Sequence, residues 1–243
     1  MAPPVGPAFV PVALVFGSAI HAALAGYYGE IKVSGEPLRR DLVLDVFRES
    51  WDKGSSGPVP LQADEEDDGA LADQIIDKGV SMLHAFCEHA AKTVAGLTVE
   101  SVELPFAVSI HDVETGELFE EQLVGAIDLV VNEDGQRTIV EHKTAAKKYG
   151  LDQLRYDIQP TAYALAAREM GLGEVGLKFQ VITKTKVPAI QIADVHRDDQ
   201  DEDDFLRTGG GVLRAIDAGV SYPVRGWQCR SCPYEHACRG GGS

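Results

Sequence analysis

Hydrophobic residues recur at helical spacing in the first third of the chain. The longest such pattern runs from Asp67 to Lys92 and predicts an amphipathic helix. Its apolar stripe consists of Leu71, Ile75, Ile76, Val80, Leu83 and Cys87. Shorter patterns predict helices from Ser18 to Ile31, with Ser18 as the N-cap, and from Asp41 to Trp51, after an extended proline-rich segment over residues 1–16. Residues 17–95 are therefore predicted to form a helical N-terminal part.

Runs rich in β-branched residues follow and predict a sheet. The predicted strands are Thr98 to His111, Leu118 to Val131, Arg137 to Lys143, Val175 to Thr183 and Ala189 to Val195. Two further helices are predicted, from Asp152 to Met170 and from Asp203 to Gly219. The first contains Pro160, which removes a helical hydrogen bond, so that helix either begins near Asp157 or kinks at the proline. Residues 98–195 thus form a predicted core of sheet and helix.

One hairpin of this core brings acidic and basic side chains together. The turn Asn132-Glu133-Asp134-Gly135 separates two apolar runs, and Asp-Gly between such runs is a strong hairpin signal. Because side chains alternate along a strand, Glu141 and Lys143 share one face and His142 points to the other. Asp128 lies nearly opposite Glu141 on the partner strand. Two such carboxylates repel each other unless a cation lies between them or one is protonated. Oxygen ligands suit Mg²⁺ or Mn²⁺, whereas without a cation the cluster would be a surface ion-pair network.

Length and composition favour one globular domain over residues 1–243. The chain has 243 residues, of which 44% are hydrophobic, enough for a full core. The apolar N-terminal stretch lacks a basic region and is interrupted by prolines, and no other run is long enough to cross a bilayer. We therefore expect neither a signal peptide nor a membrane segment. Four cysteines are too few for a secreted disulfide scaffold, and three have metal-ligand spacing, which favours the cytoplasm.

The net charge of −16 argues at first against a protein that binds nucleic acid, because phosphates attract cations. Much of the acidity lies in two runs, Asp64–Asp68 and Asp198–Asp204, so the local charge elsewhere can differ from the total. The cations that would face DNA are Lys143, Lys147, Lys148, Arg155, Lys184, Lys186, Arg225, Arg230 and Arg239. An acidic or salt-adapted proteome would explain the surplus equally well.

Four sequence elements occur in a particular order along nearly the whole chain. They are Gly17-Ser-Ala-Ile-His21, Gly125-x-x-Asp128 with a strand ending in Glu141-x-Lys143, Gln159-Pro-Thr-Ala-Tyr163, and Cys229-x2-Cys232-x5-Cys238. This set resembles the PD-(D/E)XK nuclease superfamily, and in particular its RecB-type branch. Each element is weak alone, but together they are specific. The resemblance implies an α/β (α+β) fold with a restriction-endonuclease-like core, a central mixed β-sheet flanked by helices, and a cysteine-rich segment over residues 222–238.

The resemblance also implies roles for single residues. His21, Asp128 and Glu141 would bind a divalent cation, Mg²⁺ or Mn²⁺, together with the backbone carbonyl of His142. Lys143 would position or deprotonate the attacking water, or stabilise charge on the phosphate. Gln159 and Tyr163 would orient Lys143 or contact DNA. Without the flanking motifs, His21 would be read as an ordinary helix histidine.

The cysteine segment resembles the iron–sulfur segment of AddB-type and CRISPR-adaptation nucleases. Cys229, Cys232 and Cys238 would supply three ligands of a [4Fe-4S] cluster, and relatives take the fourth from a cysteine upstream of the G-x-x-x-H motif. No cysteine precedes Gly17 here. An N-terminal truncation, loss of the cluster, substitution by Cys87, or a bound Zn²⁺ would each account for this, and truncation is preferred. As a residue on an apolar stripe, Cys87 is otherwise expected to be buried.

The expected function is therefore metal-dependent hydrolysis of DNA. The resemblance implies an exonuclease that acts on single-stranded ends in repair or recombination. The chain has no helicase nucleotide-binding motif of its own, so a partner helicase or a missing N-terminal portion would supply unwinding. Alternatives are a CRISPR-adaptation nuclease that trims spacers with an integrase, a DNA-binding module whose nuclease core has decayed, and a small-molecule metal hydrolase. The sequence does not distinguish the first alternative, the CRISPR-adaptation nuclease, from an exonuclease of repair or recombination.

Overall fold

The computed structural model describes residues 6–58, 60–62, 72–94, 96–220 and 222–239. The helices are α1 (Val12–Ser34), α2 (Arg40–Ser55), α3 (Ala72–Thr93), α4 (Leu151–Tyr156), α5 (Gln159–Glu169), α6 (Asp199–Asp217) and α7 (Glu235–Arg239). The strands are β1 (Val10–Pro11), β2 (Leu61–Gln62), β3 (Thr98–His111), β4 (Leu118–Glu133), β5 (Gln136–Ala145), β6 (Gly176–Thr183) and β7 (Ile190–Val195). A 3-10 helix, Trp227–Ser231, precedes α7.

Five strands form the central sheet in the order β3-β4-β5-β6-β7. All neighbours are antiparallel except β5 and β6, which are parallel and are joined by the crossover through α4 and α5. A separate parallel pair joins β1 to β2. The predicted mixed sheet with flanking helices is therefore confirmed, as is the α/β (α+β) class with a restriction-endonuclease-like core.

Helices cover both faces of this sheet. One apolar cluster joins α1, α2 and α3 to side chains such as Leu129 and Val140, and a second joins α5 and α6 to Val130 and Ile139. Consecutive strand residues thus enter opposite layers, as the pleat requires. The sheet places the carboxyl end of β5 between the two layers, and the candidate site lies there.

The first helix begins earlier than predicted. Residues 12–16 belong to α1 rather than to an extended segment, and Ser18 is not the N-cap, because Pro11 holds that position. The apolar residues from Val12 to Phe16 therefore belong to the same helix as the predicted segment that begins at Ser18. With a mean hydropathy of 1.4, α1 is long and apolar enough to cross a membrane by length and composition alone. Half of that window is buried within the fold, as in a core helix, so a single such helix is a weak indication of a membrane span.

Two other predicted helices have different boundaries. The helix predicted over Asp152–Met170 is two helices, and Pro160 lies in the first turn of α5, where it costs no hydrogen bond. The last helix begins at Asp199, because Asp198 accepts the backbone N–H of Asp201 in a capping box. The second acidic run, Asp198–Asp204, therefore forms the N-cap and first turns of α6. Residues 67–71 of the predicted third helix, and the run Asp64–Asp68, lie outside the described residues.

Candidate metal centre

Asp128 lies where β4 and β5 diverge. The paired register of these strands ends at Leu129 opposite Val140, and one step further Asp128 faces Glu141. Asp128 is 8% exposed, and its Oδ2 accepts the backbone N–H of His142 at 2.8 Å. The carboxylate thus satisfies a backbone donor beyond the end of the paired register, which fixes its orientation.

His21 extends from the third turn of α1 towards that carboxylate. Its Nδ1 lies 3.3 Å from Asp128 Oδ1. Burial disfavours a charged imidazole, but the hydrogen bond and negative charge of Asp128 outweigh it and raise the pKa of His21. Burial also disfavours a charged Asp128, but the hydrogen bonds from His21 and from the backbone N–H of His142 outweigh it and lower the pKa of Asp128. The structure thus brings together the helix histidine and the first strand acid of the predicted set.

Glu103 is a third potential ligand that sequence reasoning missed. It lies on β3 directly opposite Asp128, because Val102 faces Leu129 and Leu104 faces Ile127. Among the described residues, His21, Glu103 and Asp128 form the one group whose ligand atoms all lie within 4.8 Å of one another. Burial and then the charge of Asp128 raise the pKa of Glu103. Its backbone has φ = 48°, the left-handed region, which is rare within a strand and typical of functional sites.

Glu141 faces Asp128 across the two strands, and its carboxylate belongs to a hydrogen-bonded chain that reaches α5. Its Oε1 lies 2.9 Å from Lys143 Nζ, and its Oε2 accepts the hydroxyl of Tyr163 at 2.6 Å. Gln159 completes the chain, since its Oε1 accepts from Lys143 and its Nε2 donates to the Tyr163 oxygen at 2.7 Å. The four predicted residues are therefore in mutual contact, although Glu141 is not part of the tight group around Asp128.

Burial and the charge of Asp128 raise the pKa of Glu141 to about 7. Glu141 is 3% exposed, so its loss of hydration on burial is the main cause of the raised pKa. Lys143 and Tyr163 lower the pKa but offset only part of this effect. The pKa of Lys143 is raised, because the charge and hydrogen bond of Glu141 outweigh the burial of the ammonium. Lys143 is therefore held as a cation beside an acid that titrates near neutrality.

Gly125, the first residue of the G-x-x-D pattern, makes room for this chain. A Cβ at Gly125 would lie 2.7 Å from the ring of Phe106, which packs edge-on against the Tyr163 ring at 5.9 Å. The hydroxyl oxygen of Tyr163 also lies 3.2 Å from the carbonyl oxygen of Ala126. The glycine thus permits the ring contact that fixes Tyr163 beneath Glu141.

His142 points away from Glu141 and Lys143, as alternation predicts. Its ring is 3% exposed and stacks on Tyr28 of α1, with centroids 5.6 Å apart. Burial lowers the pKa of His142 to about 4, so the imidazole is neutral. The side chain of His142 thereby joins α1 to the sheet.

The three late cysteines line one cavity of about 160 Å³, together with Glu235. Cys229 Sγ accepts the backbone N–H of Gly226 at 3.5 Å. Cys87 is buried in the α1–α3 layer instead, and burial raises the pKa of its thiol, which disfavours a ligating thiolate. The geometry therefore collects the three segment cysteines without Cys87.

The fold and this acid–lysine site define the restriction-endonuclease-like class of α/β proteins. A sequence model described as the PD-(D/E)XK nuclease superfamily matches residues 5–239, and the chain belongs to that superfamily. It is a nuclease of a kind that uses divalent metals, with DNA as the substrate that the fold implies.

Several solved structures resemble the chain, including two that match nearly all of it. A protein from Eubacterium rectale, described as a candidate exonuclease, is 17% identical with a TM-score of 0.48, and the match covers 97% of this chain and 89% of that one. The protein SSO0001 is 14% identical with a TM-score of 0.43, and the match covers 99% of this chain and 90% of that one. Both TM-scores are below 0.5, so neither likeness bears on function. No curated protein matched the chain.

Proposed function

We propose that the protein is a Mg²⁺- or Mn²⁺-dependent deoxyribonuclease of the RecB-type branch that degrades DNA from single-stranded ends. The supporting observation is the convergence of His21, Asp128 and Glu103 beside the Glu141–Lys143 pair. Carboxylate oxygens and one imidazole form a donor set that suits either cation. In this proposal His21, Asp128 and Glu141 hold the ion with the carbonyl of His142, and Glu103 extends the set.

The residues around the scissile phosphate have separable tasks. A bound cation would supply Lewis acidity and make water acidic enough to attack near neutral pH. Lys143 remains an ammonium and stabilises negative charge on the phosphate, because its raised pKa makes it a poor proton acceptor. Glu141, a ligand of the ion in this proposal, keeps Lys143 beside the site, since its Oε1 lies 2.9 Å from Lys143 Nζ. Gln159 and Tyr163 hold these two side chains in place.

Digestion of end-labelled DNA tests the proposal. We expect single-stranded substrate to be shortened from an end with Mg²⁺ or Mn²⁺ and to remain intact with a chelator. Asp128→Ala should lower the rate by about 10³-fold or more, since it removes a carboxylate at the centre of the ligand set. Undiminished cleavage by Asp128→Ala would exclude this assignment. Cleavage only inside circular DNA would exclude the exonuclease part alone.

The biological setting follows from the branch that the sequence resembles. We propose a role in repair or recombination, with unwinding supplied by a partner helicase. An operon neighbour that encodes a CRISPR integrase would favour spacer trimming instead. A folded protein that binds DNA without cleaving it would indicate a decayed module, and hydrolysis of a small phosphodiester that DNA does not inhibit would indicate a small-molecule hydrolase.

We also propose that Cys229, Cys232 and Cys238 bind a [4Fe-4S] cluster. Support comes from their shared cavity and from a backbone hydrogen bond of 2.9 Å between Ala8 N–H and the Pro233 carbonyl, which brings the N-terminal segment to the cysteines. Iron and sulfide analysis of anaerobically purified protein, with its visible absorbance, tests this. Stoichiometric zinc without iron would contradict it.

A further inference from the structure

A second concave surface lies away from the candidate metal centre. It is a groove of about 650 Å³ between α6 and the junction of α4 with α5, and the edge of β3 and β4 forms its base. We call it the α6 groove. Its apolar lining includes Ile110, Leu123, Ile158, Phe205, Val212 and Leu213. Ile158 is 67% exposed and Val212 is 54% exposed, so large apolar side chains are left open to solvent. A concave apolar surface of this kind is a candidate interaction site.

The rim of the α6 groove is acidic. Five carboxylates line it, from Glu121, Asp157, Asp198, Asp201 and Asp204. The lining has two guanidinium groups, and that of Arg197 is directed inward. It donates to the carbonyl oxygens of Leu154 and Asp157 at 3.0 and 2.8 Å. The other belongs to Arg155, which lies over the Tyr156 ring. An occupant of this groove would therefore meet an apolar base and a net negative border.

These features select among possible occupants. Phosphates of DNA would be repelled by the carboxylates, so the groove is unsuited to the substrate. A second copy of this chain, with a net charge of −16, would also bring like charge to it. An amphipathic segment with apolar side chains and flanking lysines or arginines matches both the base and the border. The volume suits a few large side chains rather than a whole domain.

We propose that the α6 groove docks a basic amphipathic helix of a partner protein. The site adjoins the catalytic chain, since Asp157 and Ile158 line the groove and directly precede Gln159, whose side chain accepts from Lys143. Asp157 Oδ1 also accepts the backbone N–H of Gln159 at 2.9 Å. A docked helix would therefore contact the turn that begins α5. The inference does not depend on nuclease activity, because it rests on the groove alone.

Fluorescence anisotropy with synthetic helices tests docking. The probe is a labelled leucine–lysine peptide with leucines on one helical face, and its controls are a leucine–glutamate peptide and a glutamine–lysine peptide of the same pattern. We expect the leucine–lysine probe to bind at least about tenfold more tightly than either control. Equal binding of the glutamine–lysine peptide would reduce the interaction to general charge attraction and overturn the proposal.

Variants locate the bound probe. Ile158→Gln combined with Val212→Gln should weaken binding by about tenfold or more, because both apolar contacts are lost. The matched control combines Val33→Gln with Leu118→Gln, which are 86% and 65% exposed but do not line the groove, and it should bind like the wild type. Glu121→Gln with Asp204→Asn should weaken binding several-fold at low salt and less at high salt.

Three results would overturn the assignment. The first is full probe binding by a groove variant that circular dichroism shows to be folded. The second is an equal loss of binding by the control variant. The third is displacement of the probe by a single-stranded oligonucleotide that itself loses affinity for the groove variant, which would make the groove a nucleic-acid surface. Nuclease activity is measured in parallel, so that loss of the catalytic function is distinguished from loss of docking.

Discussion

Tyr163 donates a 2.6 Å hydrogen bond to Glu141, across the interface between a helix and the sheet. The acceptor is an acid whose pKa burial and Asp128 raise to about 7. This hydrogen bond favours the charged carboxylate and so opposes both of those effects. Tyr163 is therefore more than a packing residue, because it sets how easily Glu141 loses its proton.

Tyr163→Phe should move the pH dependence of DNA cleavage. Loss of the hydroxyl removes a hydrogen bond to the ionised form, so the pKa of Glu141 rises relative to the wild type. We expect the acid limb of the rate profile to move to higher pH by roughly half a unit to one unit. The rate at neutral pH should fall by about tenfold.

The control for that shift is Tyr27→Phe, which alters a tyrosine packed against Tyr28 and Phe86 in the other layer. Its pH profile should match that of the wild type. An unmoved acid limb in Tyr163→Phe would show that Glu141 does not govern the titration. Thermal unfolding of both variants separates this effect from a general loss of structure.

Lys143→Ala should lower nuclease activity by about 10²- to 10⁴-fold, because an ammonium next to the acids is lost. Lys143→Arg should recover little, since Gln159 and Glu141 accept from a compact group in a half-buried position. Lys178→Ala is the matched control, as Lys178 pairs with Glu133 at the far end of the same sheet. Initial rates on end-labelled DNA check this, and equal losses for the two alanine variants would contradict a special role for Lys143.

The strained backbone of Glu103 predicts that a glycine at this position raises stability and weakens metal binding. Glu103→Gly should stabilise the metal-free protein by about 1 kcal/mol, because glycine adopts a positive φ without steric cost. It should also weaken Mn²⁺ binding, because one carboxylate of the close group is lost. Urea unfolding in a chelator and calorimetric titration with Mn²⁺ measure the two effects.

Two further variants separate the causes. Glu103→Gln removes the charge next to Asp128 but keeps the strained backbone, so the difference between the glycine and glutamine variants isolates the backbone. Ser101→Gly, on the same strand without a positive φ, should destabilise by about 0.5–1 kcal/mol. A glycine variant at position 103 that is no more stable than the glutamine variant would show that the backbone there is unstrained.

Local patterns were sufficient to predict most of the sheet. Thr98–His111 and the hairpin turn are observed as predicted, because strand alternation and the Asp-Gly turn are encoded within a few residues. Helix starts were less predictable. Ser18 offered a side-chain cap, yet α1 begins at Val12, since burial of Val12, Val15 and Phe16 against the first core outweighs a local cap. Tertiary packing decided that boundary.

In the candidate site, too, local patterns predicted some features, whereas others depended on tertiary structure. The alternation of Glu141, His142 and Lys143 followed from strand geometry, and His21 was found only through a resemblance. Glu103 was missed because its place depends on the pairing of β3 with β4, where a register shift between Val99 and Ser101 precedes it. An acidic residue in a strand next to the Asp128 strand was the available signal, but it carries no information without the register.

Glu141 should make the metal-free protein less stable as pH rises. Its pKa is about 7 in the fold, against an ordinary value of 4.5. The folded state therefore holds a proton that the unfolded chain has released, so this contribution is full below about pH 4.5 and is lost as pH rises through about 7. Glu141→Gln stays neutral throughout. In a chelator we expect the variant to gain stability relative to wild type between about pH 5 and pH 8, on the order of 1–2 kcal/mol.

Chemical denaturation at each pH measures this difference. Glu100→Gln is the control, because the pKa of Glu100 is lowered, mainly by its hydrogen bond from Arg137, and its loss should destabilise more at high pH. Added Mn²⁺ should abolish the advantage of Glu141→Gln, since the cation favours the ionised wild-type acid. A constant difference across the pH range would show that Glu141 titrates normally.

The cysteine segment should matter more to stability than to catalysis. Ala8 is hydrogen-bonded to Pro233, so a cluster held by the adjacent thiols would tie the start of α1 to the C-terminal segment. In protein that contains iron, Cys232→Ser should therefore lower the unfolding temperature and the iron content together. Residual nuclease activity per folded molecule should stay within about threefold of wild type, because the segment supplies no residue of the acid–lysine site.

Cys87→Ser is the control: it should leave iron unchanged and destabilise through loss of a buried side chain. Equal iron loss in both variants would instead assign Cys87 to the cluster.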